Sequence, residues 1–254
     1  MSRVLGVIPA RIGSSRLPRK PLQPLLGKPL VLWVWERARR MRFLDRLVVA
    51  TDSDDVADVC RRAGAETLLT SPSHPTGSDR TWEVTRQLGR TFDVVVNIQG
   101  DEPLVEAGAV RAAISMVEQG FEAGTCAAPV RDEEEFRDPA VVKVVRTSEG
   151  RALYFSRAAI PYCCGKTGKQ PRWRPDRQLR HVGIYAYRPE ALGRWVGFSR
   201  SPLELQEDLE QLRALENGMR IGVAVVAEAA EGIDTPRDLA RMEHRLRRGG
   251  VTEA

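Results

Sequence analysis

RVLGVIPARIGSSRLPRKPL, residues 3 to 22, opens on a short apolar run and then turns into Gly, Ser and Pro carrying Arg11, Arg16, Arg19 and Lys20. The apolar run reads as a strand buried on both faces, and the Gly, Ser and Pro that follow read as a loop. A loop leaving a strand at its carboxyl end brings cationic side chains and closely approachable backbone N–H groups to one place, which is what a polyphosphate requires. The spacing is neither the Gly-x-x-x-x-Gly-Lys-Ser/Thr of a P-loop nor the Gly-x-Gly-x-x-Gly of a dinucleotide fold, so the cradle is of another kind.

Outward from this stretch the first half keeps alternating. PLVLWVWERARRM, SDDVADVCRRAG and RTWEVTRQLG have helical periodicity, whereas RLVVATD, ETLLT and DVVVNIQGDE are short apolar runs. Strands separated by amphipathic helices predict βαβ units and a parallel sheet, with ligands expected at the loops after Ile8, Ala50 and Ile98. The second half is less regular. AVVKVVRTSEGRALYFSRAAIPY and RHVGIYAYRP read as β, SPLELQEDLEQLRALENG as one helix ended by Gly218, and RIGVAVVAE as a strand, which together predict an antiparallel extension. CCGKTGKQPRWRPDRQ, residues 163 to 178, predicts a mobile surface loop or lid.

Composition narrows the class. The chain has 254 residues and 42% hydrophobic content, ordinary for a packed protein and enough for one large α/β domain or two small ones. The net charge of +5 comes from arginine spread among acidic residues, so no focused nucleic-acid footprint is expected. The four cysteines lack a Cys-x-x-Cys spacing and no leader peptide is visible, which predicts reduced thiols in the cytoplasm. A metal or redox site at the adjacent Cys163 and Cys164 is disfavoured because neighbouring thiols close a strained ring. No apolar run is long enough to cross a bilayer as a helix, so no membrane partner is expected.

Two carboxylates stand out. Asp101 in VVVNIQGDEP lies just past a buried strand, and Asp234 in GIDTP lies between a turn glycine and a helix expected to begin at Pro236. Such hard donors suit Mg²⁺. A plain helix N-cap is the other reading of Asp234.

PARIGSSRLPRKPL, NIQGDEP, YFSRAAIP, HVGIYAY, LEQLRALENG and GIDTPRDL, taken in order from about residue 3 to residue 245, resemble the motifs of the 3-deoxy-manno-octulosonate cytidylyltransferase (CMP-Kdo synthetase) family. The resemblance implies an α/β, Rossmann-like nucleotidyltransferase sheet of GT-A-like type with a smaller antiparallel extension. It implies one domain over residues 1–254, with 1–130 mainly nucleotide-binding and 131–254 mainly sugar-binding and dimerising. The implied reaction joins CTP and Kdo, an acidic 2-keto-3-deoxy sugar, into CMP-Kdo and pyrophosphate for lipopolysaccharide synthesis, with Mg²⁺ as cofactor and a homodimer as the assembly.

Carried onto this chain, the family pattern puts Arg11, Ser14, Arg16 and Lys20 on the triphosphate, with Arg11 and Lys20 preferred for the β- and γ-phosphates. It gives Lys20, Asp101 and Asp234 the catalytic roles and makes the two aspartates the metal ligands. His74, Gly77 and Ser78 fall on the cytosine side, and Gln99, Arg157, His181, Tyr185, Glu210 and Gln211 on the sugar side. Strand alternation in HVGIYAY would put His181, Gly183 and Tyr185 on one face. Glu210 has a second reading as a solvated helix residue beside core Leu209 and Leu212.

The chain departs from the pattern at Ile12, where an aromatic is frequent, at Ser78, where threonine is usual, and at Arg19, where glycine is common. If that glycine has positive φ, Arg19 is strained by about 1 kcal/mol, and its charge is expected to face solvent. A side-chain nucleophile is not required, since the sugar hydroxyl can attack phosphorus directly. The rival readings are a cytidylyltransferase for a related acidic sugar, such as 8-amino-Kdo or sialic acid, and a noncatalytic nucleotide- or nucleic-acid-binding protein. Retention of Lys20, Asp101 and Asp234 argues against the noncatalytic reading.

Overall fold

The structure is a computed structural model that describes residues 2–14, 16–89, 91–163, 178–228 and 230–248. The chain divides into two compact units, one of residues 1–107 and 230–254 and one of residues 108–229.

The first unit contains β1 (Val4–Pro9), the short hairpin β2 (Pro24–Leu25) and β3 (Lys28–Pro29), α1 (Leu30–Ala38), β4 (Arg46–Thr51), α2 (Asp54–Arg62), β5 (Thr67–Leu69), α3 (Gly77–Gln87) and β6 (Val94–Asn97). Its sheet runs β6-β1-β4-β5 and is parallel, with Val7 of β1 opposite Val48 of β4 and Asn97 of β6. β1 thus has a strand on each side and helices over its faces. This is why Val4, Leu5, Val7 and Ile8 are all buried and why the run reads as continuously apolar. The helix ends carry complementary charge, with Asp54 and Asp55 in the first turn of α2 and Arg61 and Arg62 in its last. A capping box between Thr76 and Asp79 starts α3.

The second unit contains α4 (Ala107–Glu118), β7 (Ala123–Pro129), α5 (Glu133–Arg137), β8 (Lys143–Arg146), β9 (Ala152–Ser156), β10 (Leu179–Tyr187), α6 (Pro189–Gly197), α7 (Pro202–Glu207), α8 (Gln211–Glu216) and β11 (Ile221–Val225). β7 lies between parallel β11 and antiparallel β10, and the antiparallel pairs β8–β9 and β8–β10 form the expected extension.

One expectation needs correction here. The single helix over residues 201–218 is broken into α7 and α8, because Asp208 adopts a left-handed conformation at φ 51°. The two helices are fastened by a buried fork, Arg213 Nε and Nη2 donating to Glu204 at 2.7 and 2.5 Å, and Gly218 at φ 75° follows α8 as expected. β10 carries an irregularity that the sequence did not predict, a shift of its register against β7 between Val182 and Tyr185. Thr125 occupies the irregularity and donates to Ile184 O at 2.7 Å. Residues 164–177, most of the predicted lid and including Cys164, lie outside the described residues.

The chain finishes in the first unit with α9 (Pro236–Arg248). Met242 and Leu246 of α9 join Ile233, Leu25, Leu30 and Trp33 in one buried cluster, and Leu17, from the cationic loop after β1, is buried with them. An apolar anchor in the middle of that loop therefore holds its charged residues near the carboxyl end of β1. No helix among the described residues is long and apolar enough to cross a membrane.

Candidate functional site

The loop after β1 and the turn after β6 are forced together by Gly100. A Cβ there would meet Pro9 O at 2.4 Å, so only glycine lets the turn press against the end of β1. Asp101 follows directly, and its backbone carbonyl accepts from Ile233 N at 2.9 Å. That one bond places residue 234 beside residue 101.

Onto these two aspartates comes Lys20. Its Nζ donates to Asp234 Oδ1 at 2.7 Å and also to Asp101 Oδ2, while Arg16 Nη2 stands 3.3 Å from the other oxygen of Asp234. Burial works against the lysine's charge. The Asp101 carboxylate, through its charge and its hydrogen bond, and then Asp234 more than offset this and hold Lys20 above its ordinary value, so it is an ammonium at neutral pH. The aspartates are less enclosed than the lysine, with side-chain exposures of 26% for Asp101 and 45% for Asp234 against 16% for Lys20. A ligand can reach both carboxylates.

The helix-cap reading of Asp234 fails on geometry. Thr235 and Asp238 make the reciprocal bonds that start α9, Asp238 N donating to Thr235 Oγ1 at 3.2 Å and Thr235 N to Asp238 Oδ2 at 3.0 Å. Asp234 uses its backbone N–H toward Asp238 and keeps its carboxylate for Lys20 and Arg16.

The remaining nucleotide-side residues surround the same strand ends. Ser14 Oγ accepts from Leu17 N at 3.4 Å within the loop, and Arg11 Nη1 reaches Pro75 O at 3.4 Å. Gly77 opens α3 close to Asn97 Nδ2 and Pro9, and Ser78 is buried beside it. His74 is engaged elsewhere, against Glu83, and lines an open cavity of about 520 Å³ with Ser71, Trp82 and Arg86 that includes none of Lys20, Asp101 or Asp234. Arg19 does adopt positive φ, at 53°, and its guanidinium, exposed as expected, also pairs with Asp55 at 2.7 Å.

Of the sugar-side residues, Gln99 belongs to the turn before Asp101, its carbonyl accepting from Glu102 N at 3.3 Å. The others lie in the second unit, and several form a connected group. His181 packs on Phe155 at 5.0 Å and on Tyr185 at 5.3 Å, Tyr185 packs on Trp195 at 5.5 Å, and Trp195 Nε1 donates to Glu210 Oε1 at 2.7 Å. His181 and Tyr185 remain neighbours despite the β10 irregularity, and Glu210 is thus not simply solvated. Burial pushes the His181 imidazole down to about 3 and the Tyr185 hydroxyl well above its usual value, so both rings are neutral at physiological pH. Gln211 is buried at the start of α8. Arg157 is committed to the backbone, donating to Glu207 O at 2.7 Å, Pro139 O at 3.1 Å and Asp208 O at 3.3 Å.

Sequence reasoning missed Trp195, which ties Glu210 to the aromatic group, and the pair Asp52 and Arg80, which holds Ile12. The one sequence cue for the pair was Arg80 at the end of HPTGSDR.

A parallel sheet with a cationic loop after its first strand, facing two carboxylates bridged by a lysine, is the arrangement of an α/β nucleotidyltransferase. The chain belongs to the cytidylyltransferase family, whose profile matches residues 5–221. It is 47% identical over 240 residues to the 3-deoxy-manno-octulosonate cytidylyltransferase of Gemmatimonas aurantiaca, covering 94% of this chain and 92% of that one. It is 46% identical over 250 residues to the enzyme of the same name from Anaeromyxobacter sp., covering 98% and 99% of the two chains. Among solved structures it superimposes on a CMP:2-keto-3-deoxy-manno-octonic acid synthetase complexed with CTP, with TM-score 0.89, 35% identity and coverage of 98% of this chain and 100% of that one. The inositol-1-phosphate CTP transferase from T. maritima, at TM-score 0.67 and 15% identity over 100% of this chain and 99% of its own, shares the fold alone.

Proposed function

We propose that the chain transfers CMP from CTP to the anomeric hydroxyl of 3-deoxy-D-manno-octulosonate (Kdo), releasing pyrophosphate, and that the CMP-Kdo formed feeds lipopolysaccharide assembly. The observation that carries this reading is the convergence of Lys20 Nζ on Asp101 and Asp234 beside the arginine-bearing loop, in a chain 47% identical to a relative named for Kdo.

In the reaction the anomeric oxygen bonds to the α-phosphorus, the bond from that phosphorus to the β-phosphate oxygen breaks, and the hydroxyl proton is lost. The chain's part is positioning and charge. Arg11, Arg16 and Lys20 neutralise the triphosphate and the departing pyrophosphate, Lys20 being held at the site by Asp101 and Asp234. Gly77 and Ser78, at the strand ends beside Pro9 and Asn97, suit the edge of a small base.

Magnesium fits these residues. The ion commonly takes one or two carboxylates and completes its shell with phosphate and water oxygens, and the described residues contain no larger cluster of metal-ligating side chains. Asp101 and Asp234 would hold it, and it would supply further neutralisation of charge at the α-phosphate.

For the sugar we assign Gln99, His181, Tyr185, Glu210 and Gln211, with Arg157 setting the backbone at Glu207 and Asp208. A homodimer is part of the proposal, with the exposed Leu153 and Leu205 of the second unit among the apolar positions a second copy would cover. Consumption of CTP supports a cytoplasmic location.

The reading is tested by comparing kcat/KM for Kdo, 8-amino-Kdo and N-acetylneuraminate at saturating CTP and Mg²⁺. Kdo should lead N-acetylneuraminate by up to about 10⁴-fold, because buried polar groups matched to one set of hydroxyls are left unpaired by another. Equal or better efficiency with N-acetylneuraminate contradicts the assignment, and preference for 8-amino-Kdo replaces it with that sugar.

A further inference from the structure

Arg11 sits between two pinned neighbours. Ala10 N donates to Ala50 O at 2.8 Å, and Ala10 O accepts from Thr51 Oγ1 at 2.7 Å. On the other side Ile12 N donates to Asp52 Oδ1 at 3.0 Å. The backbone on both sides of Arg11 is therefore fastened to the end of β4 and the residue after it, while the Arg11 side chain is exposed and, among the described residues, reaches Pro75 O.

The pin on Ile12 is itself held from the interior. Asp52 Oδ2 accepts from Arg80 Nη2 at 3.1 Å, and the side chains of Arg80 and Asp52 are 2% and 10% exposed. Arg80 Nη1 also donates to Thr70 Oγ1, and that hydroxyl in turn donates to Thr51 O at 3.0 Å. Helix α3 thus sends a guanidinium into the space below the ends of β4 and β5, where it fixes the carboxylate that fixes the loop. Well-packed apolar side chains often fill such space with equal or greater stability, so a buried ion pair is weak grounds for a purely stabilising role. A fork that satisfies one carboxylate oxygen and leaves the other for Ile12 N–H defines a direction, which apolar packing does not.

We propose that Asp52 and Arg80 are positioning residues that fix the backbone at Ile12 and so aim Arg11 at the triphosphate of CTP. The inference rests on the reading of residues 11–20 as the triphosphate loop, and the experiment separates the two. CTP binding is measured by calorimetry for wild type, Arg11→Ala, Asp52→Ala and the double variant, each first shown to be folded by its urea transition. Arg11→Ala should weaken CTP, Asp52→Ala should weaken it about tenfold or more, and in the Arg11→Ala background Asp52→Ala should have little further effect. Asp52→Asn, which keeps an oxygen for Ile12 N–H, should restore part of the affinity lost in Asp52→Ala. If Asp52→Ala does not fold, Arg80→Lys takes its place in the cycle with the same non-additivity expected, since lysine keeps the charge and loses the fork. Unchanged CTP affinity in Arg11→Ala overturns the triphosphate-loop reading and the inference with it. A loss in Arg11→Ala with no loss in the folded Asp52 or Arg80 variant, or with losses that add, overturns the positioning role alone.

Discussion

Arg19 shows how a single residue registers its backbone. It stands where the family pattern has glycine, adopts φ 53°, and offsets part of the resulting strain through an exposed ion pair with Asp55. Exposed pairs contribute about 0–1 kcal/mol and the left-handed conformation costs about 1–2 kcal/mol, so Arg19→Gly should stabilise the chain by roughly 0.5–1 kcal/mol in a urea titration. A destabilisation would show that the Asp55 contact outweighs the strain. Arg11 and Lys20 carry a different expectation, because both are assigned to the triphosphate. Replacing either with Ala should weaken CTP far more than Kdo in calorimetric titrations, and weakened Kdo with unchanged CTP would reverse the assignment. The roles assigned to Arg11, Arg16, Lys20, Asp101 and Asp234 came from the family resemblance, whereas that cations on the loop after β1 and carboxylates at strand and helix ends would stand out was legible from residue type and place in the sequence. The choice between metal ligand and helix cap for Asp234 was not, because both call for a carboxylate before a helix, and only the Thr235–Asp238 bonds separate them.

At the scale of elements, the turn after β6 is the tightest constraint. Gly100→Ala would place a Cβ 2.4 Å from Pro9 O, a backbone clash that must push Asp101 away from Lys20. The variant should lose about 1–3 kcal/mol of stability, as overpacked sites do, and most of its turnover. Wild-type activity in Gly100→Ala would mean that the turn can move without consequence. In the second unit, β10 holds His181 half-buried among aromatic side chains as a neutral ring, with its pKa pushed down to about 3 from 6.5. Below pH 6.5 the unfolded chain takes up a proton that the folded one refuses until about pH 3, so stability is lost as pH falls through that window. The slope is at most about 1.4 kcal/mol per pH unit. Urea midpoints at about pH 7 and pH 5 should therefore fall further for wild type than for His181→Gln, and equal falls contradict the burial of a neutral imidazole. The strands of the first unit were readable because burial on both faces leaves continuous apolar runs. The break at Asp208 and the shift within β10 were not, since the first rests on a left-handed conformation at a non-glycine residue and the second on a distant partner, Thr125.

For the whole molecule, the alternation of strands and helices in the first half gave a parallel sheet, and the irregular second half gave antiparallel strands. Division into two compact units was not legible, because the C-terminal segment returns to the first unit through the apolar side chains Ile233, Met242 and Leu246, whose spacing does not say which core they enter. That return matters for function, since it delivers Asp234 to Lys20 and Asp101 across more than a hundred residues of intervening chain. We propose that those three side chains are the chemical centre of CMP transfer. The most direct test measures pyrophosphate release from CTP and Kdo at saturating Mg²⁺ for wild type and Asp101→Asn, with CTP binding checked separately. The expected result is activity in the wild type and a loss of at least about a hundredfold in kcat for the variant while CTP still binds, as for removal of a principal electrostatic group. No pyrophosphate release by the wild type, or a variant turning over at nearly the wild-type rate, would contradict it.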